Sequence, residues 1–230
     1  MRHRPGTFSI AARQPETETF GAAVTTGTVA VGATCPHVSA NAAVLTQAFT
    51  LVDHGRDAVA RVDAGEGLHE ACQALLEADE HAAYRQLHGV DREDEFAFTG
   101  GNCFEWCGSR VGDDYTVAGN TLAGPEVVDA AAEGYERADG DVPSRLLAAL
   151  RAGEEAGGDD RGELSAAILV HAPKPKPYHN LRVDYSESPI DDLATLLAEA
   201  RESRTSLQAE TAGLLGDGYP PELLEFGVKY

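Results

Sequence analysis

Strand-like and helix-like stretches do not alternate one for one along this chain; they come in runs. Period-two patterns and β-favouring residues mark strands at about 7 to 13, Phe20 to Thr25, Val29 to Ala33 and Asn41 to Phe49. A pair of helices follows. Ala58, Val59 and Val62 stripe the first, which stops near Gly65, and Leu68, Ala71, Cys72 and Leu75 stripe the second. Strands resume at Tyr84 to Val90, Glu95 to Thr99 and Tyr115 to Ala118. Two more helices open at Pro125 and Pro143, each with proline in the first turn, where its missing N–H costs nothing. Ser165 to Val170 and Leu181 to Asp184 complete the strands, with Pro173 to Pro177 an extended loop between them, and Ser188-Pro189-Ile190-Asp191 caps a last helix. Strictly alternating βαβ units are excluded by this order. It predicts an α+β protein with two stacked, mainly antiparallel sheets and helical layers outside.

The first strand carries the candidate chemistry. Alternation puts Phe8, Ile10 and Ala12 on one face and Thr7, Ser9 and Ala11 on the other, so two hydroxyls share a face. Cutting the peptide bond after Gly6 gives Thr7 an α-amine of ordinary pKa about 8 beside its own hydroxyl, the pairing used in N-terminal threonine nucleophiles. The plainer reading is a loop-to-strand junction, for which glycine and threonine are both suited.

Net charge bounds the partners. The chain carries a formal charge of -20, with 38 acidic residues against 18 basic ones, and its lysines are Lys174, Lys176 and Lys229 alone. Acidic residues are scattered along the whole length, which predicts a halophilic surface rather than a patch for one basic partner. No basic stripe is present to neutralise phosphates, so nucleic acid is not an expected partner. The apolar run after the basic start ends at Arg13, too short for a signal peptide, and no stretch has the length of a membrane span; a cytoplasmic location is expected.

Cys35, Cys72, Cys103 and Cys107 are too few for a disulfide framework in 230 residues. A metal at Cys103 and Cys107 would need two further ligands at finger-like spacing, which the sequence lacks, so no metal or cofactor is expected. Gly100 to Gly108, with Asn102, Phe104 and Trp106, reads instead as a loop packed over the core and walling a pocket. Cys35-Pro36-His37 offers a Cys/His nucleophile pair, but side chains placed so close on a bend seldom point at each other, so the pair is not expected to act.

The junction Gly119-Asn120-Thr121-Leu122-Ala123-Gly124-Pro125-Glu126 joins a strand to a helix. Its free N–H groups and the Asn120 amide would stabilise an oxyanion; alternatively the glycines shape the turn and Asn120 caps it. Gly157 to Gly162, running to Ser165, has the content of a ligand-approaching loop or of a solvated turn, without the lysine of a phosphate-binding loop. Gln47, Asn102, Arg161 and Ser165 are candidate pocket residues, being polar groups in or beside apolar strands.

Several segments together resemble one family: Thr7-Phe8-Ser9-Ile10, Ala30-Val31-Gly32-Ala33, Thr46-Gln47-Ala48-Phe49, Tyr84-Arg85-Gln86, Phe98-Thr99-Gly100, Gly119 to Val127, Ala156-Gly157-Gly158-Asp159 and Ser165-Ala166-Ala167. They are similar, in order from Thr7 to about Ala200, to domain of unknown function 1028, placed among proteins like the N-terminal-nucleophile hydrolases. The resemblance implies a four-layer αββα sandwich over 7–203 that starts at Thr7, so residues 1–6 are either an extension or propeptide removed by self-cleavage or the product of a misassigned start codon; the polar stretch 204–230, rich in glycine and proline, reads as an appendage. It also implies descent from amide-bond hydrolases whose nucleophile is the first residue of the mature chain, with Thr7 at the matching position. Together with the residues this predicts an amidohydrolase or peptidase of a small amide or peptide, with Thr7 as nucleophile and base, Asn120 or a neighbouring backbone N–H as oxyanion donor, and Ser9 as supporting or fallback hydroxyl. The alternative is an inactive binding or assembly module on the same sandwich. A homo-oligomer is compatible with either.

Overall fold

The computed structural model describes residues 6–159 and 162–215. Its ten strands form two antiparallel sheets. The larger is ordered β10-β9-β2-β1-β8-β7, from β1 (Thr7–Gln14), β2 (Thr19–Thr26), β7 (Gly108–Gly112), β8 (Tyr115–Asn120), β9 (Ser165–His171) and β10 (Asn180–Val183). The smaller is ordered β3-β4-β5-β6, from β3 (Pro36–Val38), β4 (Ala42–Ala48), β5 (Arg85–Asp91) and β6 (Glu95–Thr99).

Every central strand is buried on both faces, and the alternation of side chains sorts them into three apolar layers. Phe8, Ile10 and Ala12 of β1 join Ile168 and Val117 beneath α3 (Glu126–Arg137), α4 (Val142–Glu155) and α5 (Pro189–Leu215). Ala11, Ala22, Val24, Ala43, Leu45 and Val90 meet between the sheets. Val44 and Leu87 pack outward on α1 (Val52–Asp63) and α2 (Leu68–Ala78), through Ala58, Leu68, Ala71 and Cys72. Helices, sheet, sheet, helices: the four-layer αββα sandwich expected from the sequence is the observed one.

Two predicted details are corrected. Val29 to Ala33 is not a strand: a 3-10 turn spans Val31–Ala33, entered through Ala30 in the left-handed region at φ 59°. Long-range bonds outweigh the strand preference there, since the Ala30 N–H donates to Asp184 O at 2.9 Å and the Val31 N–H to Ser165 Oγ at 3.1 Å. Conversely, β3 and β7 are strands without a strand-like sequence. Proline is admitted to β3 because it is an edge, and β7 is paired into its sheet through Gly108, Ser109, Arg110, Val111 and Gly112 opposite β8. The last helix runs unbroken through residues 203 and 204 to Leu215, its first turns anchored by Ile190, Leu193 and Leu197.

Close helix-to-sheet approach depends on Gly153 of α4. A Cβ built there falls 2.5 Å from Cε2 and 2.9 Å from Cζ of Phe8, a rigid ring already fully buried. Alanine would gain about 1 kcal/mol of helix propensity, but overpacking costs about 1–3 kcal/mol and wins. Gly153→Ala is therefore expected to lower stability by about 1 kcal/mol or more, read as a lower urea midpoint at unchanged slope; a raised midpoint would show that the helix shifts freely.

Candidate functional site

Thr7 heads β1 in the middle of the larger sheet, flanked by β2 and β8. Its register partners are Thr26 on β2 and Asn120 on β8, and residues directly opposite in an antiparallel pair point to the same face. All three therefore project into the layer between the sheets. The Thr7 hydroxyl donates to Thr26 Oγ1 at 3.2 Å, and the Thr26 hydroxyl donates in turn to the carbonyl of Gly6. Thr7 is 8% exposed, and Thr26 and Asn120 1% each, so solvent scarcely reaches this hydroxyl while Gly6 is in place.

Gly6 is held where a side chain would not fit. A Cβ there would lie 2.8 Å from Asp159 Oδ2 and 2.9 Å from the Thr121 carbonyl. Asp159 is itself buried, accepts from the Gly27 N–H at 2.8 Å, and lies on a bridge to Leu122. A carboxylate, a carbonyl and a hydroxyl thus surround the peptide group preceding Thr7.

Behind this head a polar network joins the two sheets. Ser9, two residues into β1, donates to Gln47 Oε1 at 2.6 Å and lies 2.8 Å from His88 Nε2. With the Ser9 proton on Gln47, His88 carries its proton on Nε2, donating to Ser9, and its Nδ1 accepts from the Thr116 hydroxyl at 2.9 Å. Gln47 Nε2 donates to Gln86 Oε1 at 2.7 Å, and the Asn120 amide donates to the same oxygen at 3.1 Å. Gln86 Nε2 faces Thr99 Oγ1 and the Gly119 carbonyl, both at 2.9 Å. Each of these polar groups has a partner, which is the condition for holding them in a dry interior.

Burial decides what the Ser9 and His88 pair can do. The spacing is that of a nucleophile and base, but desolvation drives the His88 pKa from 6.5 down to about 3, against the smaller opposing effect of the Thr116 backbone. A base of that strength takes no proton at neutral pH. Burial likewise raises the Cys35 thiol, which sits 3.8 Å from Gln47 Oε1, so no thiolate forms there. Cys35 is buried between the sheets, while the His37 ring packs against Gly55 of α1. Cys103 and Cys107 are free thiols, and burial together with the neighbouring Cys107 lifts Cys103 to about 11. Among the described residues no group of three or more His, Cys, Asp or Glu side chains is placed to hold a metal ion, and none of the described helices is long and apolar enough to cross a membrane.

Of the sequence candidates, Thr7, Ser9, Gln47 and Asn120 are brought together between the sheets. Asn102 is not among them: it is exposed on a turn, its N–H donating to the Ala83 carbonyl at 2.8 Å. Ser165 is buried at the start of β9, where its hydroxyl donates to Thr28 O at 2.7 Å and pins the loop after β2. Arg161 lies outside the described residues. Sequence reasoning did not single out Thr26, Gln86, His88 or Thr116 as site residues. The available signal was polar residues two apart in otherwise apolar strands, as in Gln86-Leu87-His88.

An α+β sandwich with a hydroxyl at the head of its central strand is the class of protein this geometry defines. The chain belongs to the family of unknown function DUF1028, whose model matches residues 7–193. It is similar to a crystallised member of that family from Silicibacter pomeroyi, at 34% identity over 85% of this chain and 86% of that one, with a TM-score of 0.80. A more distant likeness is to eukaryotic HslV from Trypanosoma brucei, at 12% identity over 72% of this chain and 99% of that one, with a TM-score of 0.46. None of the curated proteins matches.

Proposed function

We propose that the protein is an N-terminal-nucleophile-type hydrolase of a small amide or peptide, activated by cleavage of its own Gly6-Thr7 bond. One observation carries the reading: a single hydroxyl, Thr26, contacts both the Thr7 hydroxyl and the Gly6 carbonyl. Thr7 Oγ attacks the Gly6 carbonyl carbon, its proton passes to the departing Thr7 nitrogen, and an ester to Thr7 results. Water then releases Gly6 as a carboxylate and leaves Thr7 with a free amine. The Thr26 hydroxyl is a donor to the oxyanion of that step. In the mature protein the space vacated by Gly6 admits the acyl group of a substrate, Thr7 attacks it, and the amine takes the proton. Asn120, opposite Thr7, holds its amide at the same site, and Ser9 with Gln47 and His88 keeps the strand head in position.

Intact mass of the purified protein is the first test. A chain beginning at Thr7, together with loss of amide hydrolysis by at least about a hundredfold in Thr7→Ala, is the expected result. Retention of residues 1–6 in the wild-type protein would overturn it and leave a sealed sandwich suited to binding or assembly.

A further inference from the structure

We infer that the opposite end of the sandwich holds a second site, for an organic anion with a compact apolar body. A cavity of about 370 Å³ opens between the β1–β2 turn, the start of α4 and the loop joining β9 to β10. Gln14 and Thr19 line it, placing it roughly 20 Å from Thr7 along an eight-residue strand. It is therefore separate from the candidate active site, and the inference stands whether or not Thr7 is a nucleophile.

The lining has two characters. Val142, Pro143, Ala172 and Tyr178 give it an apolar wall, while Lys174 and Lys176 stand on its loop side. Those are two of the three lysines in a chain of net charge -20. Such a chain repels anions at long range, so an anion needs cations at close quarters, and this short loop carries two of them. The loop is not the extended one expected from its sequence, since it bends at Pro173-Lys174 and a 3-10 turn opens at Pro177, but three prolines in five residues still restrict its backbone and lower the entropy lost when the lysines engage a ligand.

The carboxylate in the lining, Asp141, is already matched. Both its oxygens accept from Arg201 Nη2, at 2.6 and 2.8 Å, and Arg201 also lies over the Tyr178 ring at 5.0 Å. His179, buried beside the lysines, is pushed by desolvation down to about 4 and is uncharged at neutral pH. Beyond Tyr178 a further hollow is lined by Arg201 and Arg204, and Arg204 Nε is buried with no hydrogen-bond partner among the described residues. With Arg201 balanced by Asp141, the cations about this ring are Lys174, Lys176 and Arg204. The ligand that suits it carries a carboxylate, sulfonate or phosphate group at the lysines and a ring or short alkyl chain against Val142 and Tyr178; the volume is at the lower end of small-molecule sites, about 300–1,000 Å³.

The probe is 8-anilinonaphthalene-1-sulfonate, titrated into the full chain and followed by fluorescence. We expect saturation at one equivalent, displacement by octanoate but not by inorganic phosphate at equal concentration, and a loss of affinity of about tenfold in Lys174→Ala/Lys176→Ala. Arg56→Ala/Arg137→Ala, which changes net charge equally on exposed helix surfaces, should leave the affinity unchanged. Absence of saturable binding, an equal loss in both double variants, or affinity retained in the lysine variant would each overturn the site. Equal displacement by phosphate would show an anion patch without an apolar component and would overturn it too. Lys174 and Lys176 lie in a surface loop, and an unchanged melting temperature confirms that the variant is folded.

Discussion

Acidification from pH 7 to pH 4 destabilises the protein steeply, and His88→Gln removes a large part of that loss. His88 is fully buried, and its pKa in the folded state is depressed from 6.5 to about 3 by desolvation. Between those values the unfolded chain binds a proton that the folded one does not, so stability rises with pH across the window and falls as pH drops below about 6.5. At about 1.4 kcal/mol per unit, the penalty reaches on the order of 3 kcal/mol by pH 4, a large share of a typical folding free energy of about 5–15 kcal/mol. His179, depressed to about 4 by burial, adds in the same direction. Neutralising carboxylates relieves the repulsion of a highly acidic chain, but mainly near their own pKa values of about 4, so histidine burial dominates above pH 5. Glutamine at position 88 retains a donor toward Ser9 and does not titrate. Urea midpoints for both proteins from pH 7 to 4.5 are the measurement; parallel profiles would show that His88 gains water access and is not the sensor.

Much of the architecture was legible because it rests on local signals. The face assignment along β1 follows from alternation, and so does the placement of Thr7 and Ser9 away from Phe8 and Ile10. Run-wise grouping of strands and helices was enough to exclude a parallel βαβ sheet. What failed were segments whose conformation is imposed from a distance. Val31 turns because Ser165 and Asp184, more than 130 residues away, hold the backbone there. The strand β7, with a glycine at each end, is made by the edge it pairs with.

The site was half legible for the same reason. Periodicity says that Gln47, Gln86 and His88 share a face of their sheet, yet nothing local says that Ser9, Thr116 and Asn120 of the other sheet lie opposite. Polar residues in strands buried on both faces are the one-dimensional trace of such a network, since each must find a partner or carry a desolvation cost. Gln47 and Ser165 bear the same mark and have opposite uses: one joins the sheets behind Thr7, the other fastens a loop.

Gln86→Leu is expected to cost as much as a large apolar truncation beside it, although leucine has similar volume and strong apolar preference. Gln86 accepts from Gln47 and Asn120 and donates to Thr99 and to the Gly119 carbonyl, all from a side chain with no exposed surface. Leucine leaves two amide N–H groups and a buried carbonyl without that partner, at about 1–3 kcal/mol for each group left unsatisfied. Relaxation and entering water reduce the sum, so a loss of about 3–5 kcal/mol in urea unfolding is the expected value. Gln86→Glu tests the reasoning from the other side. It keeps both acceptor contacts but loses the donor, and must either bury a charge or take up a proton; its stability should therefore recover toward acid pH, where the leucine variant does not. The same pair separates packing from site geometry. If Gln86 holds Asn120 opposite Thr7, then any turnover by the mature protein falls in both variants at temperatures where each remains folded. Full activity in a folded Gln86→Leu protein would place the oxyanion donor on Thr26 alone.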